Sequence, residues 1–187
     1  SRRQRQMCIR DRMWVTGAAL FIRLADYREV GGLDGHFFAH MEEIDLCWRL
    51  RSRGKKLVCI PQSVVYHVGG ATLKKENPRK TFLNFRNNLL MLYKNLPDKE
   101  LEHVLFIRGI LDRVAALVFY LKKDRANARA VMQARREFED IRYSFAASRI
   151  ENMMKSTDEI IPERTHFSIV MKYYLLGKKH FSQLKLF

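Results

Sequence analysis

Three carboxylates lie within four residues in the first third of the chain, at Glu42, Glu43 and Asp45. They follow two aromatic residues, Phe37 and Phe38, and precede a segment whose apolar residues recur at helical spacing. Most acidic clusters are solvated surface, but this one stands where an apolar segment passes into a basic helix. We expect it at the mouth of a folded core. Burial and neighbouring carboxylates there would raise a carboxyl pKa and favour a general base near neutral pH.

The three carboxylates are not equivalent candidates. Asp45 stands four residues before Arg49, so an ion pair within the helix is the simpler interpretation for it. A helix N-terminus and nearby arginines lower a carboxyl pKa, which opposes the role of base. From spacing alone, a capping or solvated role is favoured for Glu43 over catalysis.

His67 is the second residue that could do chemistry. It ends the apolar run 63–67 and could be a metal ligand. A neutral imidazole is a better ligand for Mn²⁺ than for Mg²⁺, which prefers a shell of oxygen atoms. A lone histidine at a strand end is more often structural, so both interpretations stay open. Cys47 and Cys59 have no cysteine or histidine partner at metal spacing, and we interpret them as buried thiols of a reducing compartment.

Short apolar segments surround these residues and predict strands. Residues 13–23 predict a strand entered through Thr16 and Gly17, whose small size would allow close approach of backbone or ligand. Residues 56–60 and 63–67 predict two more strands. Strands that alternate with helices favour an α/β layer structure.

Helix signals position the acidic cluster. A short helix is predicted over 25–30, ended by a glycine pair, and Asp34 is a candidate cap for the turn that follows. A second helix is predicted over 43–53, with Gly54 as its stop. Its acidic start and basic end both agree with the helix dipole.

The second half of the sequence predicts helices throughout. A helix over 78–93 ends before Pro97, and residues 124–155 are charged and helix-prone. Residues 101–121 are strongly apolar, but three charged residues near the middle make a bilayer crossing less favourable than an interfacial or protein-packed helix. These are Arg108, Asp112 and Arg113.

The chain carries 35 Lys and Arg against 20 Asp and Glu, a formal net charge of +15. A basic surplus in both halves indicates a polyanionic partner, which could be nucleic acid, anionic lipid or a phosphate-bearing substrate. Nucleic acid is the least supported, because the sequence has no long lysine run, zinc-finger spacing or aromatic RNA-binding signature. The lysines and aromatic residues of the tail suit an anionic membrane surface, and a merely solvated basic face is the alternative.

The first twelve residues, SRRQRQMCIRDR, have five arginines and no hydrophobic period. Met7 to Asp11 also match the translated end of a transposon used to build sequencing libraries. We interpret residues 1–12 as a non-native segment, and a basic N-terminal arm is the alternative. Without its five arginines and one aspartate, the formal net charge falls to +11.

The segments TGAALFIR, VGGLDGHFFAHMEEIDLCWRLRSRGKKLVCIPQSVVYHVGG and RNNLLMLYKNLP, taken in order, resemble family 2 glycosyltransferases of the GT-A fold. The likeness is strongest to bacterial rhamnosyltransferase-like members that build cell-surface polysaccharides. It implies that residues 13–98 form the C-terminal, acceptor-side half of a GT-A nucleotide-diphospho-sugar transferase fold. Residues 99–187 would then form a helical, basic, membrane-associated region. The nucleotide-binding half, with its Asp-x-Asp metal motif, would lie upstream.

The resemblance implies an inverting transfer of a hexosyl or rhamnosyl group from a nucleotide-sugar donor to a hydroxyl of a glycan or lipid-linked acceptor. Glu43 matches the position of the catalytic base, where the family carries aspartate, and Glu42 or Asp45 could share the role. A divalent metal, Mn²⁺ or Mg²⁺, would be held mostly by the upstream half, with His67 completing its coordination. Trp14, Thr16 and Gly17 match positions that line the family's cleft, and His40 and Arg49 are further candidates for substrate binding. A surface role is the alternative for His40.

Three functions are therefore compared. The acceptor side of a sugar transferase is the one we favour, for a cytoplasmic protein that is peripheral on the inner face of the cell membrane. The chain alone is then expected to be inactive. A non-catalytic module that binds a membrane surface or a glycan is the alternative, favoured by glutamate at the base position. A nucleic-acid binder is supported by net charge alone.

Overall fold

A computed structural model describes residues 12–60, 62–67, 77–157, 161, 164, 169–174, 176–180 and 183. These residues are mainly helical, and three short 3₁₀ turns lie at Gly17–Ala19, Gly35–Phe37 and Arg142–Phe145. The α-helices, in chain order, are α1 (Leu24–Glu29), α2 (Glu42–Ser52), α3 (Pro78–Asn95), α4 (Asp98–Leu121), α5 (Arg125–Ile141), α6 (Ala146–Met154) and α7 (Ile169–Tyr174).

The helix predictions are confirmed to within a few residues. The backbone turns out of α1 at Gly31 with a φ of 82° and out of α2 at Gly54 with a φ of 73°, as glycine allows. The carboxylate of Asp34 accepts a hydrogen bond from the amide of His36 at 3.0 Å, so it caps its turn as expected. Asn77 caps α3 in the same way, through the amide of Arg79.

The strand predictions are wrong for the described residues. Residues 13–23 contain a 3₁₀ turn, and residues 56–60 and 63–67 form no strand, apart from a single bridge residue at Val58. An apolar segment becomes a strand only when a neighbour pairs with its backbone. Here the amide of Arg12, just before the first segment, donates to the carbonyl of Leu57 at 2.8 Å, and the described residues show no strand on either side of this bond. The α/β class of the whole fold stays a prediction.

Apolar side chains of these extended segments lie in solvent. Tyr66 is 95% exposed and Phe21 is 91% exposed, where a buried strand would hide them. Cys59 is also exposed, so its interpretation as a buried thiol is wrong, whereas Cys47 is buried as expected. The thiol of Cys47 has a pKa raised mainly by burial, which makes it inert. Residues 1–11, and Gly69 and Gly70, lie outside the described residues.

Helix α3 lies at the centre of the larger hydrophobic core. Its Leu89 and Leu90 are fully buried and belong to one cluster with Phe37, Trp48 and Phe138. These partners come from the turn before α2, from α2 itself and from α5. The core therefore joins the acidic segment to the helical second half. A second, smaller cluster packs the inner side of α2 around Leu46, Cys47 and Leu50.

The charged residues inside α4 bind it to its neighbour. Asp112 is 1% exposed, and its carboxylate lies 2.9 Å from Arg108 of the same helix and 2.9 Å from Arg135 of α5. Arg113 donates to the carbonyl of Gly109 at 2.9 Å. This geometry agrees with the prediction that residues 101–121 form a protein-packed or interfacial helix and do not cross a bilayer. No helix among the described residues is both long and apolar enough to cross a bilayer.

Candidate active site

Glu43 stands in the first turn of α2 and faces the Thr16-Gly17 turn. A Cβ placed on Gly17 would lie 3.7 Å from Cβ of Glu43 and 3.9 Å from its Cγ. The hydroxyl of Thr16 accepts a hydrogen bond from the amide of Ala18 at 3.4 Å and shapes the turn that brings Gly17 there. The structure thus places Gly17, an expected substrate-binding residue, beside Glu43, the expected base.

Three buried side-chain atoms at this place make no hydrogen bond within the described residues. They are Nε2 of His40, Oε2 of Glu42 and Oε2 of Glu43. Buried polar atoms are almost always paired in native proteins, so a group of unpaired ones is a place where an ordered water, a ligand or a reacting group can bind. One imidazole nitrogen and two carboxylate oxygens could accept a proton or bind the hydroxyls of a substrate.

The electrostatics of Glu43 suit a proton acceptor. Burial raises the pKa of Glu43 above its ordinary value, and the negative charge of Glu42 raises it further. A hydrogen bond from its own backbone amide and the proximity of His40 act in the opposite direction. The net direction is upward, as expected for a carboxylate that must take a proton near neutral pH.

Asp45 faces the interior instead. Its carboxylate is fully buried and accepts hydrogen bonds from Arg49 at 2.7 and 3.0 Å, from Lys94 at 3.0 Å and from Asn95 at 2.8 Å. The ion pair predicted between Asp45 and Arg49 is confirmed. A carboxylate so enclosed positions its helix, and this geometry does not favour the share in catalysis expected for it.

Arg49 is likewise used inside the protein. It is 5% exposed, and its guanidinium donates to the carbonyl oxygens of Val30 and Gly32 as well as to Asp45. These bonds fix the glycine loop after α1 against α2. The substrate contact expected for Arg49 does not fit this geometry, because its donors already serve the protein.

Lys94 extends the same network to the turn that precedes α2. Its ammonium lies 2.7 Å from Asp34 and 3.0 Å from Asp45, and 5.1 Å from the ring centre of Phe37. Burial would raise the pKa of Asp34, but hydrogen bonds and charge from Lys94 and His36 outweigh it and lower this pKa from 3.8 to about 2.

The loop before α2 has a strained backbone. Phe38, His40 and Met41 have φ values of 62°, 70° and 74°, in the left-handed region that residues other than glycine seldom adopt. Asn87 of α3 holds this loop, because its side-chain amide donates to the carbonyls of Phe37 at 2.8 Å, Ala39 at 2.8 Å and His40 at 2.9 Å. Strain of this kind persists only where the surroundings enforce it, and it often marks a functional site.

Asn87, Lys94 and Asn95 were missed in the sequence. The available signal was their position, since Lys94 and Asn95 follow Asn87 by seven and eight residues, two helical turns, on a helix rich in apolar residues. Buried polar residues are the informative exceptions in a core. All three are buried, and each contacts the segment that carries the acidic cluster.

The other expected site residues lie apart from Glu43. Trp14 is 48% exposed and, with Thr16, lines a groove of about 540 Å³ whose other wall is residues 56–60. His67 is exposed, and no described contact links it to the carboxylates. Among the described residues, no group of three or more His, Cys, Asp or Glu could hold a metal. The residues present therefore do not form the expected metal site by themselves.

A half-buried carboxylate with a raised pKa, beside a glycine turn, can deprotonate a hydroxyl. In comparison with known proteins, the chain is similar to parts of glycosyltransferases. One relative is the pre-mycofactocin glycosyltransferase of Mycobacterium tuberculosis, 31% identical over 139 residues, which is 68% of this chain and 29% of that protein.

Two further relatives are rhamnosyltransferases. The N-acetylglucosaminyl-diphospho-decaprenol L-rhamnosyltransferase of Mycobacterium tuberculosis is 37% identical over 54 residues, covering 29% of this chain and 18% of that protein. Rhamnosyltransferase WbbL of Escherichia coli is 35% identical over 54 residues, covering 29% of this chain and 20% of that protein. The chain thus spans less than a third of each relative's length. No protein-family model and no solved structure matches it.

Proposed function

We propose that this chain forms the acceptor side of an inverting glycosyltransferase of the GT-A fold, with Glu43 as its catalytic base. One observation carries the proposal: Oε2 of Glu43 is buried and unpaired within the described residues, and the pKa of this carboxyl is raised. The glycosyltransferase names of the relatives support the class of reaction.

In the proposed reaction, Oε2 of Glu43 takes the proton of an acceptor hydroxyl while the hydroxyl oxygen bonds to the anomeric carbon of the donor. The bond from that carbon to the diphosphate breaks on the opposite face, so the configuration inverts. Burial, assisted by the negative charge of Glu42, raises the pKa of Glu43, and Nε2 of His40 is available to bind a second acceptor hydroxyl. Gly17 leaves room for a side chain that is one methylene longer than the family's aspartate.

The donor and its divalent metal are assigned to a further part of the fold. The exposed apolar side chains of residues 13–23, 56–60 and 62–67 support this, because a further layer of the fold would cover them. His67, on the same segment, would then approach the metal from that side. We expect the chain without such a partner to transfer no sugar.

The donor sugar and the acceptor are proposed from the relatives. Two of the three are named rhamnosyltransferases, which favours rhamnose among the hexoses. One of these names specifies a sugar on a diphospho-polyprenol, so a lipid-linked acceptor for cell-surface polysaccharide synthesis is the acceptor class we propose. A cytoplasmic enzyme, peripheral on the inner face of the membrane, would meet both substrates.

The test is transfer by a full-length parent protein that contains this chain. Nucleotide-activated rhamnose and a polyprenyl-diphosphate glycan serve as substrates. Glu43→Gln should lower kcat by about a hundredfold or more with little change in KM, because it removes the base and keeps the shape. Glu42→Gln is the matched control, and it should lower kcat less than Glu43→Gln. Turnover of Glu43→Gln at the parent rate would refute the assignment of the base.

A non-catalytic glycan-binding module is the second candidate. Glutamate in place of the family's aspartate favours it, since a small misplacement of a catalytic group can cost on the order of a hundredfold. This candidate predicts that the same full-length protein binds glycans without consuming the donor. Release of nucleoside diphosphate that depends on the acceptor would exclude it.

A further inference from the structure

Helix α4 has an apolar face that no described part of the chain covers. Six of its apolar side chains are between 43% and 70% exposed. At about 100° per residue they fall within one arc of roughly 120° on the helix surface. Monomeric soluble proteins seldom expose a contiguous apolar patch of this kind without a use for it. The outer face of α4 consists of Phe106, Ile110, Val114, Leu117, Val118 and Leu121.

A cationic groove of about 980 Å³ runs beside this face, between α4 and α5. Five arginines line it, and Glu139 is the one carboxylate among its lining residues. Arg135 is held by ion pairs inside the protein, whereas Arg129 and Arg136 are exposed and make no ion pair with any described residue. Leu117 lines the groove and also belongs to the outer face of α4, so the two features adjoin. The arginines are Arg113, Arg125, Arg129, Arg135 and Arg136.

We propose that the outer face of α4 and the cationic groove together bind the surface of a bilayer that contains anionic phospholipid. Helix α4 would lie in the plane of the membrane, with its 24 residues extending about 36 Å along it. The aliphatic side chains enter the region below the headgroups, and the arginines bind headgroup phosphates. Asp112 is buried against α5, so it does not oppose insertion.

The arginines and the apolar side chains together favour an anionic bilayer as the partner of this surface. A second copy of the chain would bring two sets of arginines against each other, which like charge disfavours. Nucleic acid would pair with the arginines and leave the outer face of α4 in water. An anionic bilayer is complementary to both features. This surface deepens the proposed function by specifying how a lipid-linked acceptor would be approached, and it rests on that function.

Vesicle flotation of the full chain tests the surface. The vesicles are phosphatidylcholine alone, or phosphatidylcholine with about 30% phosphatidylglycerol, because anionic lipid supplies about 1 kcal/mol per nearby Lys or Arg. Arg129→Ala with Arg136→Ala should weaken partitioning onto anionic vesicles by about thirtyfold. Ile110→Gln with Leu117→Gln should weaken it by about tenfold or more. Raising the salt from about 0.1 M to about 1 M should weaken the parent's binding too.

Matched controls separate this surface from general basicity. Arg23→Ala with Arg28→Ala removes the same charge from exposed positions near α1, and Ile150→Gln with Met154→Gln removes two exposed apolar side chains from α6. Both should bind like the parent. Thermal unfolding followed by circular dichroism confirms that every variant is folded.

The proposal would be overturned if the chain did not bind anionic vesicles, or if the control variants lost as much vesicle binding as the test variants. It would also be overturned if removal of residues 169–187 alone abolished vesicle binding, or if the chain formed a dimer that buries the outer face of α4. Glu43→Gln should float like the parent, so a failure of docking and a failure of the proposed catalysis are distinguishable.

Discussion

Asn87 should stabilise the strained loop before α2 more than any other single side chain of α3. Its amide group has two N–H donors and three backbone carbonyls within 2.9 Å, and the residue is fully buried. Asn87→Ala would leave those carbonyls without their donor, and an unpaired buried polar group costs about 1–3 kcal/mol. Two lost hydrogen bonds at about 1.5 kcal/mol each give a destabilisation of about 3 kcal/mol.

The neighbouring residue offers a matched control. Asn88 is in the same helix and only partly buried, and its side-chain amide makes one long contact of 4.0 Å with the sulfur of Met41. Asn88→Ala should therefore cost less than about 1 kcal/mol. Asn87→Asp is a second test, because it keeps the acceptor that Arg86 uses at 2.9 and 3.0 Å and removes the donors to the loop. It should destabilise nearly as much as Asn87→Ala.

Urea unfolding followed by tryptophan fluorescence measures the difference. Trp48 is 7% exposed in the core, so its emission changes when the core opens. With a slope of about 2 kcal/mol per molar urea, a loss of 3 kcal/mol lowers the midpoint by about 1.5 M. Equal midpoints for Asn87→Ala and Asn88→Ala would refute the view that this side chain holds the loop.

Three other predictions follow from the same region. The lowered pKa of Asp34 means that its contribution of about 2 kcal/mol is complete above about pH 4 and lost as the pH falls to about 2, so Asp34→Asn should flatten the pH dependence of unfolding in that window. Asp45→Asn should cost about 3–5 kcal/mol in urea unfolding, because it removes the buried carboxylate that pairs with Arg49 and leaves Lys94 with Asp34 alone; a loss below 1 kcal/mol would contradict this. Gly17→Ala should leave the unfolding midpoint nearly unchanged, since its Cβ would make ordinary contact with Glu43. Gly17→Leu should lower sugar transfer by the full-length parent about tenfold or more, and equal transfer activity of the two variants would contradict this.

Local signals were sufficient to predict the helices. The start of α2 follows from its acidic first turn and its end from Gly54, because both act within one turn of the helix. The ion pair between Asp45 and Arg49 was equally predictable, since helical geometry alone brings residues four apart together. Such features need no knowledge of the rest of the fold.

The features that could not be predicted from the sequence depend on residues that are distant along the chain. Residues 13–23 have the composition of a strand, but pairing requires a neighbouring backbone that composition cannot supply. Asn87 lies more than forty residues from the loop it holds, so only the tertiary structure shows the contact. The full burial of Asp45 could not be read from its spacing to Arg49 either, because Lys94 and Asn95 enclose it from another helix.

Helix α3 connects the candidate active site to the proposed membrane surface. On one side its Asn87 and Lys94 hold the loop and helix that carry Glu43, and on the other it packs against α5, whose arginines line the cationic groove. Arg86 makes the link direct, because its guanidinium binds the carbonyl of His36 at 2.9 Å and Glu137 of α5 at 2.7 Å. A close-packed core transmits displacement because it is rigid. If both proposals hold, docking of α4 and α5 on a bilayer would fix the distance of Glu43 from the lipid surface, and that distance would limit which hydroxyl of a lipid-linked acceptor the base can reach.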